Sequence, residues 1–341
     1  VQRFGANPEK LLLGLMLTTA VGSMVMSNTA TTAMMVSSIL PLAKYMGKNS
    51  NYTKALLVGI PAAATFGGMG TIIGSTPNAI AVGALQDKGL TITFIDWMLF
   101  GLPTGLIAVY LFWHFLRRKI RNHKIEIRLE QFLEPKSTSS PVQRRVVLAT
   151  LFITVSMWLT EPLHGIPAAA TSAIPIVLLT MFQVIQAEHV RRLPWDTLML
   201  VAGGLALGIA MVQVGLTNIV MGYLMRLPIP MIAIAILFSL FAVLLSNVMS
   251  NTAAASILVP IGMSLPGIYA FTIPLVVALS CSSAVLLPVS TPANAVAYST
   301  GMVEQKYFRQ GGLLMMLVGP LLALISVLLW GLLFIGLKAE F

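Results

Sequence analysis

The chain has 341 residues, of which 57% are hydrophobic and only 9% are charged, and its formal net charge is +10 at pH 7. Ordinary soluble domains carry about 25% charged residues, so this composition excludes a soluble globular protein. The single cysteine, Cys281, excludes a disulfide scaffold.

Apolar stretches long enough to cross a bilayer recur along the chain and predict an all-α polytopic membrane protein. They cover residues 93–116, 146–160, 165–183, 197–215, 228–245, 272–289 and 312–337. The chain begins at Val1 without a signal peptide, so we expect it to be a piece of a longer protein whose earlier spans are missing.

The first predicted element is a helical hairpin with arms 11–26 and 30–43, which enters and leaves the membrane on the same side. Its tip is Ser27-Asn28-Thr29. The next span, 55–85, is predicted to be broken at 70–78 by glycines and a proline. After span 93–116 comes a loop, 117–145, that holds nine of the 21 Lys and Arg residues. The positive-inside rule places this loop in the cytoplasm and leaves no reason to infer nucleic-acid binding.

Within that loop, apolar residues between 125 and 133 allow a short amphipathic helix on the membrane surface, followed by a flexible linker over 135–141. The second half continues with spans 146–160, 165–183 and 197–215. A second hairpin with its tip at Ser250-Asn251-Thr252 follows, then a span over 272–300 broken at 290–294, and finally 312–337.

Two polar motifs occur twice in this apolar chain. The octet 23–30 returns as 246–253, and the two copies differ only where Met24 is replaced by Asn247. The pentapeptide 74–78, Gly-Ser-Thr-Pro-Asn, follows the first octet, and 290–294, Ser-Thr-Pro-Ala-Asn, follows the second. A lone Ser-Asn-Thr is more typical of a helix cap than of a site. Two copies in step predict a transporter built from structural repeats, with its site at broken helices near the bilayer midplane.

The charge distribution predicts the topology. Threading the spans in order places 18 of the 21 Lys and Arg residues in the cytoplasm and leaves only Lys88, Arg226 and Lys338 outside. The two hairpins then enter from opposite faces. The predicted fold therefore has inverted repeats, two re-entrant helical hairpins and broken transmembrane helices. Its parts are a first repeat over 1–116, the cytoplasmic loop 117–145 and a second repeat over 146–341.

The motifs contain no Asp, Glu, Lys, Arg or His. This excludes a carboxylate pair, a His/Cys metal site, a Ser-His-Asp arrangement and a membrane-embedded proton relay within them. The remaining hydroxyls, amides and freed carbonyls suit Na⁺, and the N–H groups at helix starts suit a carboxylate. Sodium coupling follows because bound cations neutralise an anion that is otherwise costly to bury.

These doubled motifs, together with residues 195–204 at the start of the second half, resemble the divalent anion:sodium symporter family of dicarboxylate and citrate carriers. The resemblance covers essentially the whole chain. It implies a homodimer in the lipid bilayer of the bacterial inner membrane, with a scaffold domain and a transport domain that carries substrate by an elevator motion.

The resemblance also implies the residues of the site. A first Na⁺ site would use Ser23, Ser27, Asn28 and backbone oxygens near Gly74 and Ser75. A second would use backbone oxygens of Ser246, Met249 and Ser290 with the Asn251 side chain. Substrate carboxylates would contact Ser27, Asn28, Thr29, Ser250, Asn251 and Thr252, with Thr76, Pro77, Thr291 and Pro292 closing the site.

The leading functional hypothesis is therefore sodium-coupled symport of C4-type dicarboxylates of the succinate, malate and fumarate class. The alternative on the same fold is a sodium-independent dicarboxylate or citrate antiporter. An anion channel would need a continuous polar pore, whereas these motifs are confined to two hairpin tips. A membrane enzyme would need an intramembrane nucleophile with a base, and the motifs have none.

Overall fold

The computed structural model describes residues 7–338, apart from 121–139, 194 and the positions 217, 218, 220, 221, 224, 225 and 227–229. Within these residues every regular element is a helix, so the predicted all-α class is confirmed. The amphipathic helix predicted around 125–133 and most of the linker after it lie outside the described residues.

The first half contains five helices and one short 3₁₀ turn, 68–70. The first helix begins with a side-chain N-cap, because the Asn7 carboxamide oxygen accepts hydrogen bonds from the backbone N–H groups of Glu9 and Lys10 at 2.9 and 3.2 Å. The helices are α1 (Pro8–Ser23), α2 (Asn28–Met46), α3 (Asn51–Gly67), α4 (Thr76–Gln86) and α5 (Phe94–Ile120).

Helix α3 is the centre of this half. From Tyr52 to Gly67 nearly every residue is buried, and α3 packs against α1, α2 and α5. The Trp97 indole of α5 donates a hydrogen bond to the Met69 carbonyl at 2.9 Å, which ties α5 to the 3₁₀ turn where α3 ends. The buried stretch of α3 after its first turn therefore has no lipid-facing or water-facing side.

A connecting region of mostly short helices joins the halves. The apolar stretch predicted as one span over 165–183 is a shorter helical segment that is interrupted at Ser172. The helices are α6 (Pro141–Leu159), α7 (Glu161–His164), α8 (Ala168–Thr171), α9 (Ala173–Met181), α10 (Ala187–Arg191) and α11 (Trp195–Gln213).

The second half repeats the pattern of the first: hairpin, broken helix, long helix. Helix α14 is buried from Thr272 to Cys281 and occupies the central position that α3 has in the first half. The helices are α12 (Met231–Val248), α13 (Asn251–Gly262), α14 (Tyr269–Cys281), α15 (Pro292–Tyr298) and α16 (Gln305–Lys338).

Four helices in the described part of the chain are long and apolar enough to cross a membrane: Phe94–Ile120, Pro141–Leu159, Met231–Val248 and Gln305–Gly331. The short half-helix that follows each break packs on helices of the other half, so the two halves interlace. Helix α4 packs on α13 and α14, while α15 packs on α2 and α3. The long helices α5 and α16 also pack together, and the Ser326 hydroxyl of α16 donates to the Phe100 carbonyl at 2.9 Å.

The breaks fall a few residues from their predicted positions. At the first tip the non-helical residues are 24–27, and at the second they are 249–250, so each motif Asn is the first residue of a helix. The first broken helix resumes at Thr76 rather than after 78. The second stops at Cys281, well before 290, and resumes at Pro292. The reason is that proline suits the first turn of a helix, so Pro77 and Pro292 start half-helices instead of interrupting them.

Candidate functional site

The first hairpin tip is held by two serines. The Ser23 hydroxyl, at the last residue of α1, is hydrogen-bonded to one terminal atom of the Asn28 carboxamide at 2.6 Å. The Ser27 hydroxyl caps α2 by accepting the Ala30 N–H at 3.2 Å. Together they fix the position of the Asn28 carboxamide at the start of α2.

Oxygen atoms converge on that carboxamide. One of its two terminal atoms lies 2.6 Å from Ser23 Oγ, 3.0 Å from the Ala64 carbonyl oxygen and 3.3 Å from the Gly74 carbonyl oxygen. With Oδ1 in this position, four oxygens face one another. With Nδ2 there, the two N–H hydrogens of the amide face the other three oxygens, which then act as acceptors. The oxygen and nitrogen ends have nearly the same shape, so the amide can rotate between two arrangements. In one, four oxygens can coordinate a cation; in the other, the amide N–H groups hydrogen-bond to the oxygens and no cation is needed.

Two glycines allow this close approach. A Cβ atom on Gly68 would meet Asn28 Oδ1 at 2.6 Å and the Gly74 carbonyl oxygen at 2.7 Å. A Cβ on Gly74 would meet the Gly68 carbonyl oxygen at 2.6 Å. Only glycine fits at both positions. The absence of side chains lets the backbone of the break between α3 and α4 contact the hairpin tip directly.

The second hairpin tip repeats the geometry of the first. The Ser246 hydroxyl donates to Asn251 Oδ1 at 2.7 Å and also lies 3.1 Å from the Cys281 carbonyl oxygen. The Ser250 hydroxyl caps α13 by accepting the Ala253 N–H at 3.1 Å. Ala64 lies in the last turn of α3, and Cys281 is the last residue of α14, so each cluster receives a carbonyl from the end of a half-helix.

The one residue that distinguishes the octets attaches its tip to the second break. Asn247 Oδ1 accepts the Leu286 N–H and the Ser290 hydroxyl, each at 2.9 Å. In the first half the corresponding attachment is a bond from the Thr71 hydroxyl to the Met24 carbonyl oxygen at 2.5 Å. Both halves therefore lock hairpin tip to helix break, by a side chain in one and by a backbone carbonyl in the other.

The two breaks touch each other inside the protein. Ser75, just before α4, and Ser282, just after α14, are both buried, and their hydroxyl oxygens are 3.2 Å apart. This hydrogen bond joins residues of the two halves directly beside the two clusters.

Every group in these contacts is neutral. Negative carbonyl ends of α3 and α14 and positive N–H ends of α2, α4 and α13 lie at the tips and breaks. Half-helix carbonyl ends and unwound backbone are the groups that coordinate Na⁺ in membrane carriers, and half-helix N-termini are those that meet anionic substrates. The arrangement thus provides for a cation and a carboxylate without a charged side chain.

The structure brings some of the predicted site residues together and leaves others apart. Ser23, Asn28 and Gly74 meet in the first cluster; Ser246 and Asn251 form the second; and Ser290 is attached to the second tip through Asn247. The Thr291 hydroxyl accepts the Asn294 N–H at 3.1 Å and so acts as the cap of α15. The side chains whose described contacts do not tie them to a cluster are Thr29, Thr76, Pro77, Met249, Thr252 and Pro292.

Several contributors could not be recognised in the sequence. The carbonyls of Ala64 and Cys281 carry no sequence signal, because any residue supplies a backbone oxygen. Thr71 and Ser282 are ordinary small polar residues in apolar surroundings. Asn247 alone had a signal, since it is the single departure between the two octets.

Residues 1–270 match the model of a protein family described as citrate transporter, CitMHS. A sodium-dependent dicarboxylate transporter, SdcS, from Staphylococcus saprophyticus subsp. saprophyticus is 28% identical over 344 aligned residues, which cover 90% of this chain and 66% of that protein. SdcS from Staphylococcus aureus strain USA300 is 29% identical over 364 aligned residues, covering 96% and 70%. The chain spans about two thirds of the length of these curated relatives.

Proposed function

Because the chain belongs to the citrate transporter family, we propose that it carries out sodium-coupled symport of a C4-type dicarboxylate as part of a multi-pass integral membrane protein. The relatives named as sodium-dependent dicarboxylate transporters support the choice of cation and of substrate class. The bacterial inner membrane is the proposed location.

The observation that carries the proposal is the duplicated oxygen cluster. Ser23 with Asn28 and Ser246 with Asn251 make the same hydroxyl-to-carboxamide bond at 2.6 and 2.7 Å, each beside a half-helix carbonyl. Hard oxygen ligands of this kind fit Na⁺, the cargo cation of the proposed cycle. A structural capping motif alone would not require a carbonyl from a distant helix end at both tips.

We assign one Na⁺ to each half. The first would be held by Ser23, Ser27, Asn28 and the Gly74–Ser75 backbone. We add the Ala64 carbonyl to this set because it lies 3.0 Å from the Asn28 carboxamide. The second would be held by Asn251 and by oxygens of Ser246, Met249 and Ser290. In each half the carboxamide would turn its oxygen to the ion.

The dicarboxylate would lie between the two tips. Its carboxylates would meet Ser27, Asn28 and Thr29 on one side and Ser250, Asn251 and Thr252 on the other, where backbone N–H groups at helix starts are available. Thr76, Pro77, Thr291 and Pro292 would close the site. The two cations supply the positive charge that makes burial of the anion affordable.

The hairpins are proposed to be re-entrant and to enter from opposite membrane faces, which makes 1–116 and 146–341 inverted repeats joined by the cytoplasmic loop 117–145. Irregular backbone at membrane depth is tolerated only where protein or a water-filled cavity surrounds it. The buried breaks and their contact through Ser75 and Ser282 support this arrangement. An elevator motion of the hairpin-containing part in a homodimer would then expose the site alternately.

The test is uptake of radiolabelled succinate by proteoliposomes that contain the full-length protein. Uptake should be concentrative with an inward Na⁺ gradient and fall to background when K⁺ or choline replaces Na⁺. Equal uptake in all three salts would reject sodium coupling.

The competing function is exchange of dicarboxylate or citrate without Na⁺, and the citrate transporter description of the family is the observation that keeps it in consideration. Counterflow separates the two. Exchange of internal unlabelled for external labelled anion that proceeds fully without Na⁺ would favour the antiporter.

A further inference from the structure

Asn78 and Asn294 end the two Thr-Pro motifs, and neither has a role in the cation or carboxylate contacts above. Both are fully buried, with exposures of 0% and 1%. They occupy equivalent places, in the first turn of α4 and in the first turn of α15. A buried carboxamide at two matching positions calls for a physical reason.

Each carboxamide donates both of its N–H hydrogens to backbone carbonyls of the helix break that precedes it in the chain. Asn78 Nδ2 donates to the carbonyl oxygens of Gly68 at 2.9 Å and Thr71 at 2.8 Å. Asn294 Nδ2 donates to those of Leu287 at 2.9 Å and Val285 at 3.3 Å. Each NH₂ group thus closes the non-helical segment of its own half into a loop.

Those loops carry the oxygens assigned to the cations. Gly68 lies against both Asn28 and Gly74, so a shift of the Gly68 carbonyl would move the first cluster. In the second half the Leu287 N–H donates to the Ser290 hydroxyl at 3.0 Å, and Leu286 is bonded to Asn247. Asn78 and Asn294 therefore reach the proposed ligands through one intervening residue, Gly68 in the first half and Leu287 in the second.

The oxygen end of each carboxamide makes no hydrogen bond to any residue that the structure describes. Asn78 Oδ1 and Asn294 Oδ1 are both buried without a partner among the described residues. Leaving a buried oxygen unpaired is costly, and the same cost is accepted at both positions. The donors are thus the part of the side chain that the fold uses.

We propose that Asn78 and Asn294 are positioning residues that set the Na⁺ affinity, each in its own half, by holding the loop carbonyls in place through the NH₂ group. This inference rests on the proposed sodium-coupled function. It predicts that the donors matter and that the oxygen of these two side chains does not.

The experiment uses the purified full-length protein without dicarboxylate and measures the rise in Tm as Na⁺ replaces K⁺ at constant ionic strength. Asn78→Asp and Asn294→Asp keep the shape and the oxygen but lose the NH₂ group. For each, the Na⁺ concentration giving half of the Tm rise should increase about tenfold or more, since two hydrogen bonds are lost. Asn78→Ala and Asn294→Ala should show the same increase.

The control is Asn51→Ala, an exposed asparagine in the first turn of α3, which should titrate like the wild type. If the Asp variants keep or improve Na⁺ affinity while the Ala variants lose it, Oδ1 is itself a ligand and the inference is wrong. If Tm falls equally in Na⁺ and K⁺ with an unchanged half-maximal concentration, the residues are only structural. A wild-type Tm that does not change when Na⁺ replaces K⁺ would instead overturn the proposed function.

Discussion

A carboxamide offers an oxygen and two N–H hydrogens from one planar group, so it can face a cation with one edge and a carboxylate with the other. This is the chemistry that we propose for Asn28 and Asn251 at the two tips. Each is fixed by a serine hydroxyl five residues earlier, at 2.6 and 2.7 Å. Neutral groups suffice because the charges of cation and anion offset each other when both are bound.

Removing either carboxamide should remove a Na⁺ ligand and a donor near the substrate. We expect Asn28→Ala and Asn251→Ala to lower Na⁺-driven succinate uptake at least tenfold, which corresponds to about 1.4 kcal/mol or more. The matched control is Asn49→Ala, at an exposed position between α2 and α3. Wild-type Na⁺ dependence and substrate affinity in both tip variants would contradict the assignment of the site.

Thr252 allows substrate recognition to be separated from cation binding. Its side chain is buried in the first turn of α13, and we place its hydroxyl against the dicarboxylate. Thr252→Val keeps the shape and loses a hydrogen bond to a charged group, worth about 1.5–3 kcal/mol. Succinate affinity at saturating Na⁺ should therefore fall roughly ten- to a hundredfold, while Na⁺ affinity without substrate stays unchanged. Equal losses in both measurements would assign Thr252 to the cation site.

At the scale of elements, the break between α3 and α4 depends on glycine. The Cβ of Gly68→Ala would collide with Asn28 Oδ1 and the Gly74 carbonyl, so the tip and the break must separate. We expect Na⁺-driven uptake to fall at least tenfold, an effect of about 1.4 kcal/mol or more.

Gly83→Ala is the matched control for that change. Gly83 lies within α4, and a Cβ there would meet nothing within 4 Å. Uptake should be unchanged, and stability should rise by up to about 1 kcal/mol because alanine is the better helix former. Activity in Gly68→Ala equal to that in Gly83→Ala would show that the close approach is not needed.

The sequence predicted which elements exist better than where they end. Composition and the doubled motifs predicted the helical class and the interruptions of the helices near the Ser-Asn-Thr and Ser-Thr-Pro motifs. The re-entrant insertion of the hairpins stays a prediction. Proline was interpreted as an interruption, but Pro77 and Pro292 start half-helices, because the first turn needs no N–H from that residue. Contacts through backbone carbonyls, such as that of Ala64, depend on how helices meet in space and leave no pattern in the chain.

For the whole molecule, the resemblance to the divalent anion:sodium symporter family is confirmed by the family match and by the SdcS relatives. The inverted arrangement of the halves stays a prediction. This prediction can be tested by cysteine labelling, because the chain has one cysteine, Cys281, and that residue is buried.

We expect a cysteine at Asn49 and another in the loop 117–145 to be labelled only from the cytoplasmic side by a membrane-impermeant maleimide. A cysteine at Arg226 should be labelled only from outside. Unsubstituted protein supplies the background from Cys281. Labelling of any position from the opposite face would refute the threading.

The interlacing of the halves has a consequence for biosynthesis. Helix α15 packs on α2 and α3, yet it is synthesised more than 220 residues after α3 ends. At a ribosomal rate of about 5–20 residues per second, the faces of α2 and α3 on which α15 packs wait roughly 10–45 seconds before that helix exists. During that interval those helix faces lie in the translocon or membrane without their packing partner. The nascent first half is therefore the stage at which this protein most depends on insertion factors, and a chain stalled before Pro292 should be a preferred target for membrane proteases.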